Sequence, residues 1–390
     1  MKSHHSKRAT VLVVALALFT DTFLYYLLVP ILPAYAKAYH LSQMGIGVLF
    51  GSYAASLLAA TYPMGRMADR IGRKAPMLWG LAGLGICTLL FAFAERYWLL
   101  VLARALQGFA ATATWTAGMA LLADHFPSES RGRVMGTVLA FANLGVMVGP
   151  PVAGFLSQHF GLRAPFILGF ALVLLDAAAR VFLIEEAPPG KGYELDFGDF
   201  IRNRTVRVFA GAMILGAGMW ALLESVLPLH FDTLLRLSPS TIGICFGAAA
   251  LAHMTTSPLV GGLSDRFGRT RVLIAGLLCS VLLIPLSAIL HSLVWVLVTM
   301  VGLGITSSFI MSPVSPAMAD VVEEMGSTHY GTVFGIINFA YAIGMMIGPL
   351  IGSLGVELYG VRGTFIAVGL GYGAYAWLVA CLPKRRPKSL

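Results

Sequence analysis

The sequence predicts an all-α membrane protein of twelve transmembrane helices, arranged as two pseudo-symmetric six-helix halves. Three observations lead there. Of 390 residues, 58% are hydrophobic and only 12% are charged, with a mean hydropathy of +0.81. A soluble domain carries about 25% charged residues, so this chain cannot cover a soluble surface. The apolar residues fall in long unbroken runs, and two segments of the chain recur in its second half. A soluble enzyme, a coiled coil and a disordered scaffold are excluded together.

A transmembrane helix needs about 20 mostly apolar residues. The runs that qualify are 8–36, 44–64, 76–95, 97–124, 131–158 and 163–185, then 205–231, 240–264, 271–291, 293–322, 328–357 and 361–382. Lipid-facing strands would alternate apolar with polar residues, so helices are expected and not a barrel. The first run carries Asp21 and is followed by no small-residue cleavage site, so it is expected to span the membrane and not to act as a signal segment. Between the sixth and seventh runs lies one polar stretch with Pro188, Pro189 and Gly190. It reads as a connector, which divides the chain into 1–187, a linker at 188–204, and 205–390.

Lys and Arg orient the helices. With the N-terminus inside, 20 of the 27 basic residues fall on inner segments and five on outer loops, with Arg104 and Arg180 inside spans. Both termini are therefore expected to be cytoplasmic. The net charge of +9 has the same origin and does not call for nucleic acid. Cys87, Cys245, Cys279 and Cys381 lie in apolar runs without paired spacing, so neither a disulfide framework nor a metal site is expected.

Gly65-Arg66-Met67-Ala68-Asp69-Arg70-Ile71-Gly72-Arg73 recurs as Gly261-Gly262-Leu263-Ser264-Asp265-Arg266-Phe267-Gly268-Arg269. Gly145-Val146-Met147-Val148-Gly149-Pro150 recurs as Gly344-Met345-Met346-Ile347-Gly348-Pro349. Two repeated halves in a membrane imply a solute site between them and rocking of one against the other.

These motifs carry a resemblance. The Gly65–Arg73 loop, extended by Lys74, resembles the signature loop of the major facilitator superfamily. Leu102-Ala103-Arg104-Ala105-Leu106-Gln107-Gly108 resembles its fourth-helix motif. The segment from Gly145 to Gly154 is similar to the fifth-helix motif of the twelve-helix drug/proton antiporters. Phe19-Thr20-Asp21-Thr22, Val29-Pro30-Ile31-Leu32-Pro33, the stretch Ala171–Asp176 and Leu223-Glu224-Ser225-Val226-Leu227-Pro228 resemble the vesicular amine transporters. The chain departs from the animal members, in which a Lys in the second helix and acidic residues in the tenth and eleventh are expected. Here those positions hold Tyr53, Ser308 and Asn338, and residues 37–43 replace a long lumenal loop. The resemblance thus implies a compact prokaryotic relative in the inner or plasma membrane. It would be a monomer that exports small organic, cationic or aromatic amine or drug-like compounds in exchange for protons. The proton gradient is its energy source, and no cofactor is expected.

Candidate site residues follow from cost. A carboxylate at the membrane centre costs roughly 2.5–3.5 kcal/mol to insert. Asp21, halfway along the first span, can exchange a proton, pair with a cationic amine, or bind polar groups of a neighbouring helix. Glu224 in the seventh span is its natural partner in coupling, or else a solvated residue near the outer end. Asp176 stands at helical spacing from Arg180 and reads as a structural ion pair. Arg104 needs an acidic or carbonyl partner, with Gln107 on the same face. Proton transfer and plain helix packing are both open for it.

In the repeated loop, Gly65 and Gly72 permit a tight turn, and Asp69, Arg70 and Arg73, with Arg131 as a partner for Asp69, form a candidate cytoplasmic gate. Asp265 and Arg266 repeat it. Gly108, Gly145, Gly149 and Gly154 allow close helix approach, and Pro150 bends its span. Tyr25, Tyr26, Trp220 and Tyr341 can shape an aromatic pocket, as can Trp115 and Phe334. Asn143 and Asn338 are candidate polar contacts. His253, alone near mid-membrane, reads as a satisfied interior residue. No Walker loop, H-E-x-x-H or G-x-S-x-G pattern supports an enzyme. The alternatives are a carrier of a neutral or anionic metabolite, in which Arg104 outweighs Glu224, and a non-transporting scaffold, which has no need of buried charges.

Overall fold

The computed structural model describes residues 2–184, 198–325 and 330–381. Residues 188–197 of the expected linker lie outside them. The described elements are all helical: α1 (Lys2–Tyr26), α2 (Leu28–Ala38), α3 (Gln43–Ile71), α4 (Lys74–Phe93), α5 (Tyr97–His125), α6 (Ser128–Phe160), α7 (Ala164–Leu183), α8 (Gly198–Arg202), α9 (Arg204–Leu235), α10 (Pro239–Phe267), α11 (Arg269–Ile289), α12 (Leu293–Met311), α13 (Val314–Glu324) and α14 (Tyr330–Ala380). Ten stretches of helix among them are long and apolar enough to cross a membrane.

The expected twelve runs map onto these elements with three differences. The first run breaks at Leu27 into α1 and α2, and the tenth breaks beside Pro313 into α12 and α13. A proline removes a backbone donor and clashes with the preceding turn. The last two runs join as α14, interrupted at Gly360, where a φ of 69° takes the backbone out of helix. The run at α5 is a 29-residue helix but is not among the ten. Arg104, Gln107, Thr112, Thr114 and Thr116 make its middle more polar.

Close packing follows the small residues. A Cβ added at Gly145 would meet the Phe19 carbonyl, and one at Gly149 the Phe23 carbonyl, so α6 lies tightly on α1. Thr22 reinforces that seam by donating to the Ala142 carbonyl at 2.8 Å. A Cβ at Gly344 or Gly348 would meet the Ile214 or Gly218 carbonyl, so α14 lies on α9 in the same manner. Gly108 approaches the Tyr53 carbonyl and Gly304 the Ala249 carbonyl. Both members of that second pair stand 196 residues after the first. Repeated sequence thus makes repeated contacts.

Two seams join the helices before residue 184 to those after 204. Gly47 and Gly51 of α3 face Pro349, Ser353 and Leu350 of α14. Gly154 of α6 and Gly243 and Gly247 of α10 face Pro239, Pro150 and Pro151. Apart from a buried bond between Tyr25 and Glu224, the polar contacts between the two sets gather at one end. Lys37 pairs with Asp232 at 2.7 Å, and Gln43 donates to the Ser225 carbonyl at 3.1 Å. The Met44 N–H donates to Glu357 at 2.8 Å and the Ser240 N–H to Gln158 at 3.3 Å. At the opposite end, which carries the Arg-rich loops, Gly132, Gly136, Gly261 and Gly262 have no foreign atom within 4 Å of an added Cβ.

Asp176 and Arg180 of α7 form a fully buried ion pair, with both side chains at 0% exposure. Arg180 grips the carboxylate through two nitrogens at 2.9 and 2.6 Å. It also donates to the Met77 carbonyl of α4 and, at 3.2 Å, to Thr114 of α5. The expected ion pair is present, and it ties three helices together.

Two outcomes are expected. Gly348→Val forces a side chain into the Gly218 backbone and should destabilise the protein by about 1–3 kcal/mol. Gly136→Ala, in open space, should leave stability equal or slightly raised. Thermal unfolding in detergent reads both, and equal midpoints for the two variants would contradict the packing argument. Asp176→Asn strands Arg180 without a counter-charge, at about 3–5 kcal/mol. Asp176→Leu combined with Arg180→Leu should recover part of that loss, and a double variant worse than Asp176→Asn would refute the pairing account.

Candidate functional site

Buried ionisable groups mark the interior of the molecule. Asp21 lies on α1 at 2% exposure, and its Oδ2 accepts from the Trp115 indole N–H of α5 at 2.8 Å. The preceding residue, Thr114, is the one bound by Arg180. Asp21 therefore sits beside the Asp176–Arg180 pair and feels both charges. Trp115, an aromatic candidate from the sequence, is the partner that a buried carboxylate requires.

Glu224 lies on α9 at 1% exposure. It is no vestibule residue. The Tyr25 hydroxyl of α1 donates to its Oε2 at 3.0 Å, and Tyr26 also reaches the carboxylate. Tyr341 of α14 stands near Glu224 and is itself 37% exposed. The three tyrosines picked out from the sequence thus surround one carboxylate, and they come from both sets of helices. Asp21 and Glu224 occupy separate hydrogen-bonded clusters.

Arg104 is fully buried, at 0% exposure. Its NH1 donates to Gln107 at 2.8 Å and to the Tyr25 carbonyl at 3.3 Å. Its guanidinium lies 4.6 Å from the Tyr25 ring centre and 4.9 Å from that of Phe50, with Tyr53 and Phe91 both at 5.8 Å. Such rings stabilise a cation through their negative faces. The Nε and NH2 groups have no hydrogen-bond partner, so the π-faces and the nearby Glu224 charge compensate the cation instead. Tyr53, which stands where a Lys is expected in the animal relatives, is one of those rings.

The repeated loops carry matching charge clusters. Arg73 bonds Asp69 at 2.7 Å and Asp124 at 3.0 Å, while Arg269 bonds Asp265 at 2.7 Å and Asp320 at 2.6 Å. The expected Asp69–Arg131 pair is not formed. Arg73, one helical turn from Asp69, takes that carboxylate, and Arg131 instead donates to the Phe126 and Ala123 carbonyls. Arg70 and Arg266 are exposed, and Gly65 has open space around it. Gly72 and Gly268 take φ values of 91° and 93°, a backbone region that favours glycine. Asp124 and Asp320 escaped the sequence reading, although Ala123-Asp124 recurs as Ala319-Asp320 at the same offset as the loops.

Trp220 of α9 donates its indole N–H to Ser307 of α12 at 2.9 Å, and Ser307 lies 2.7 Å from Nδ1 of His253. Trp220 thus hydrogen-bonds within its own set of helices and not to Glu224. Asn143 and Asn338 are exposed, not buried between helices as amides deep in a span usually are.

Comparison with known proteins agrees with this architecture. A family model described as Major Facilitator Superfamily matches residues 14–233 and again 208–390. The synaptic vesicular amine transporter of Bos taurus is 29% identical over 331 residues, covering 83% of this chain and 63% of that protein. The chromaffin granule amine transporter of Homo sapiens is 29% identical over 348 residues, covering 88% and 65%. The chain thus spans less than two thirds of either relative's length. Among solved structures, a bacterial homologue of the human lysosomal transporter Spinster, in an inward-facing and unoccupied conformation, superposes with a TM-score of 0.80. It is 16% identical and covers 96% of this chain and 97% of its own, a likeness of fold. The apolar helices, the repeated loops and the match along both parts of the sequence agree: this multi-pass integral membrane protein belongs to the Major Facilitator Superfamily.

Proposed function

We propose that the protein is a secondary active transporter that exports small organic amines, cationic or aromatic and including drug-like compounds, in exchange for protons. Its twelve spans form two six-helix halves, 1–187 and 205–390, that rock about a site between them, with both termini cytoplasmic. It works as a monomer in a prokaryotic inner or plasma membrane, without a cofactor.

The observation that carries this reading is the Glu224 carboxylate, buried on one set of helices and held by the Tyr25 hydroxyl of the other. An amine cation between that carboxylate and the rings of Tyr25, Tyr26 and Tyr341 gains charge pairing and cation–π contact. A proton on the same carboxylate removes the attraction and releases the cation. Asp21, held by Trp115, is the second exchangeable group. Competition for these carboxylates couples the two fluxes, provided the two conformations bind cation and proton differently. Arg104 lies behind Tyr25, so it acts on the carboxylate more than on the solute. With the Arg-rich loops cytoplasmic, the clustering of contacts at the Lys37 end corresponds to an inward-open state. The names of the relatives, amine transporters of synaptic vesicles and chromaffin granules, support an amine as substrate.

Proton release on adding aromatic amines, tyramine first, to the purified protein in weak buffer tests the reading. Release is expected from the wild type, reduced in Asp21→Asn and abolished in Glu224→Gln. A folded wild type that releases no proton with any amine would overturn cation/proton exchange and turn the search to neutral or anionic solutes.

A further inference from the structure

His253 of α10 is the one histidine whose ring is built into a hydrogen-bonded chain across three helices of the second set among the described residues. The Trp220 indole can only donate, and it donates to Ser307 at 2.9 Å. The Ser307 hydroxyl hydrogen is then free for Nδ1 of His253 at 2.7 Å. Ser257 spends its hydroxyl hydrogen on the His253 carbonyl at 2.7 Å, so its oxygen can only accept from Nε2, 3.5 Å away. The neutral ring can therefore accept from Ser307 at Nδ1 while Nε2 faces Ser257, with the Gly304 carbonyl also beside the ring.

A second proton fits the same frame. It would bind Nδ1 and point at Ser307, whose oxygen has two lone pairs and can accept from Trp220 and His253 together. The single rearrangement is rotation of the Ser307 hydroxyl, which turns its hydrogen away from Nδ1 while its oxygen keeps a bond to each neighbour.

The surroundings leave this ring without a fixed counter-charge. α10 packs on α2, α6, α11 and α12. α12 has no ionisable side chain, and α6 has none between residues 134 and 158. α2 offers Tyr35, bonded to the Phe91 carbonyl, and Lys37, paired with Asp232. α11 offers Arg269 and Arg271 at its start and Cys279. On α10 itself stand Cys245, Asp265 and Arg266. From α9, Trp220 meets the ring edge-on at 6.3 Å between centroids, and Glu224 is one helical turn beyond Trp220 on the same face.

We infer that His253 is a further exchangeable-proton site of the transport cycle, oriented by Ser307 and Trp220 and read out through Trp220 to the turn that carries Glu224. The inference rests on the proton-exchange reading above for its role in transport, while the protonation itself does not.

Proteoliposomes with an acidic interior and the membrane potential clamped at zero give the test. Each proton exchanged per cycle adds about one decade of tyramine accumulation per pH unit. His253→Gln, which keeps a polar atom near Nε2, and His253→Asn, which keeps one near Nδ1, should both lower accumulation about tenfold per pH unit, with unfolding midpoints unchanged. An unchanged slope in both folded variants would overturn the inference. A second readout needs no substrate. A protonated imidazole quenches an indole that it touches, so the wild-type fluorescence minus that of Trp220→Phe should dim on acidification, and this dimming should vanish in His253→Gln. If the wild type accumulates no amine, the exchange reading fails by itself and the fluorescence decides this one. Dimming that persists in His253→Gln, or none in the wild type, would sink it.

Discussion

The absence of water around most of the helix surface governs everything polar inside this protein. A charge there must find a partner or sit in a wet space, and each buried ionisable residue answers that demand differently. Asp176 and Arg180 neutralise each other and borrow a carbonyl and a hydroxyl from two further helices. Asp21 takes an indole N–H. Glu224 takes a hydroxyl from across the interface. Arg104 uses aromatic faces where hydrogen-bond acceptors are missing. The first solution locks helices together. The others hold ionisable groups with neutral partners, which can let go.

Small residues supply the rigid frame around those groups. Gly145 and Gly149 set α6 against α1, and Gly344 and Gly348 set α14 against α9. Van der Waals contact over a close backbone approach replaces the hydrophobic effect that is missing in lipid. The charge clusters of Arg73 and Arg269 tie the loop of each set to acids 51 residues further on. Each set of helices is thus braced internally at its Arg-rich end, while most polar contacts between sets gather at the other.

Much of this was legible in the sequence because it depends on residue type at fixed spacing. Helix positions followed from apolar runs, and the Asp176–Arg180 pair from i,i+4 spacing. The tyrosines around Glu224 could be named but not arranged, since no local pattern says that Tyr25 and Glu224, far apart in the chain, meet. The Asp69–Arg131 pairing failed for a related reason. Arg73 stands one turn from Asp69 and needs no distant partner, and only the repeat of Asp124 at Asp320 hinted at the true second acid. His253 looked isolated because its partner, Ser307, is an ordinary residue of another helix.

The two backbone caps across the seam at the Lys37 end have a mechanical consequence. Ser42 and Ser238 each cap their own helix, α3 and α10, by accepting one N–H of the first turn. Glu357 and Gln158, from the opposing set, each accept another. One clasp is a charged carboxylate on a helix dipole and the other a neutral amide, so dissolved ions weaken the first and barely touch the second. The seam is therefore not uniform along its length: added salt weakens its α3–α14 side and leaves its α6–α10 side nearly as it was.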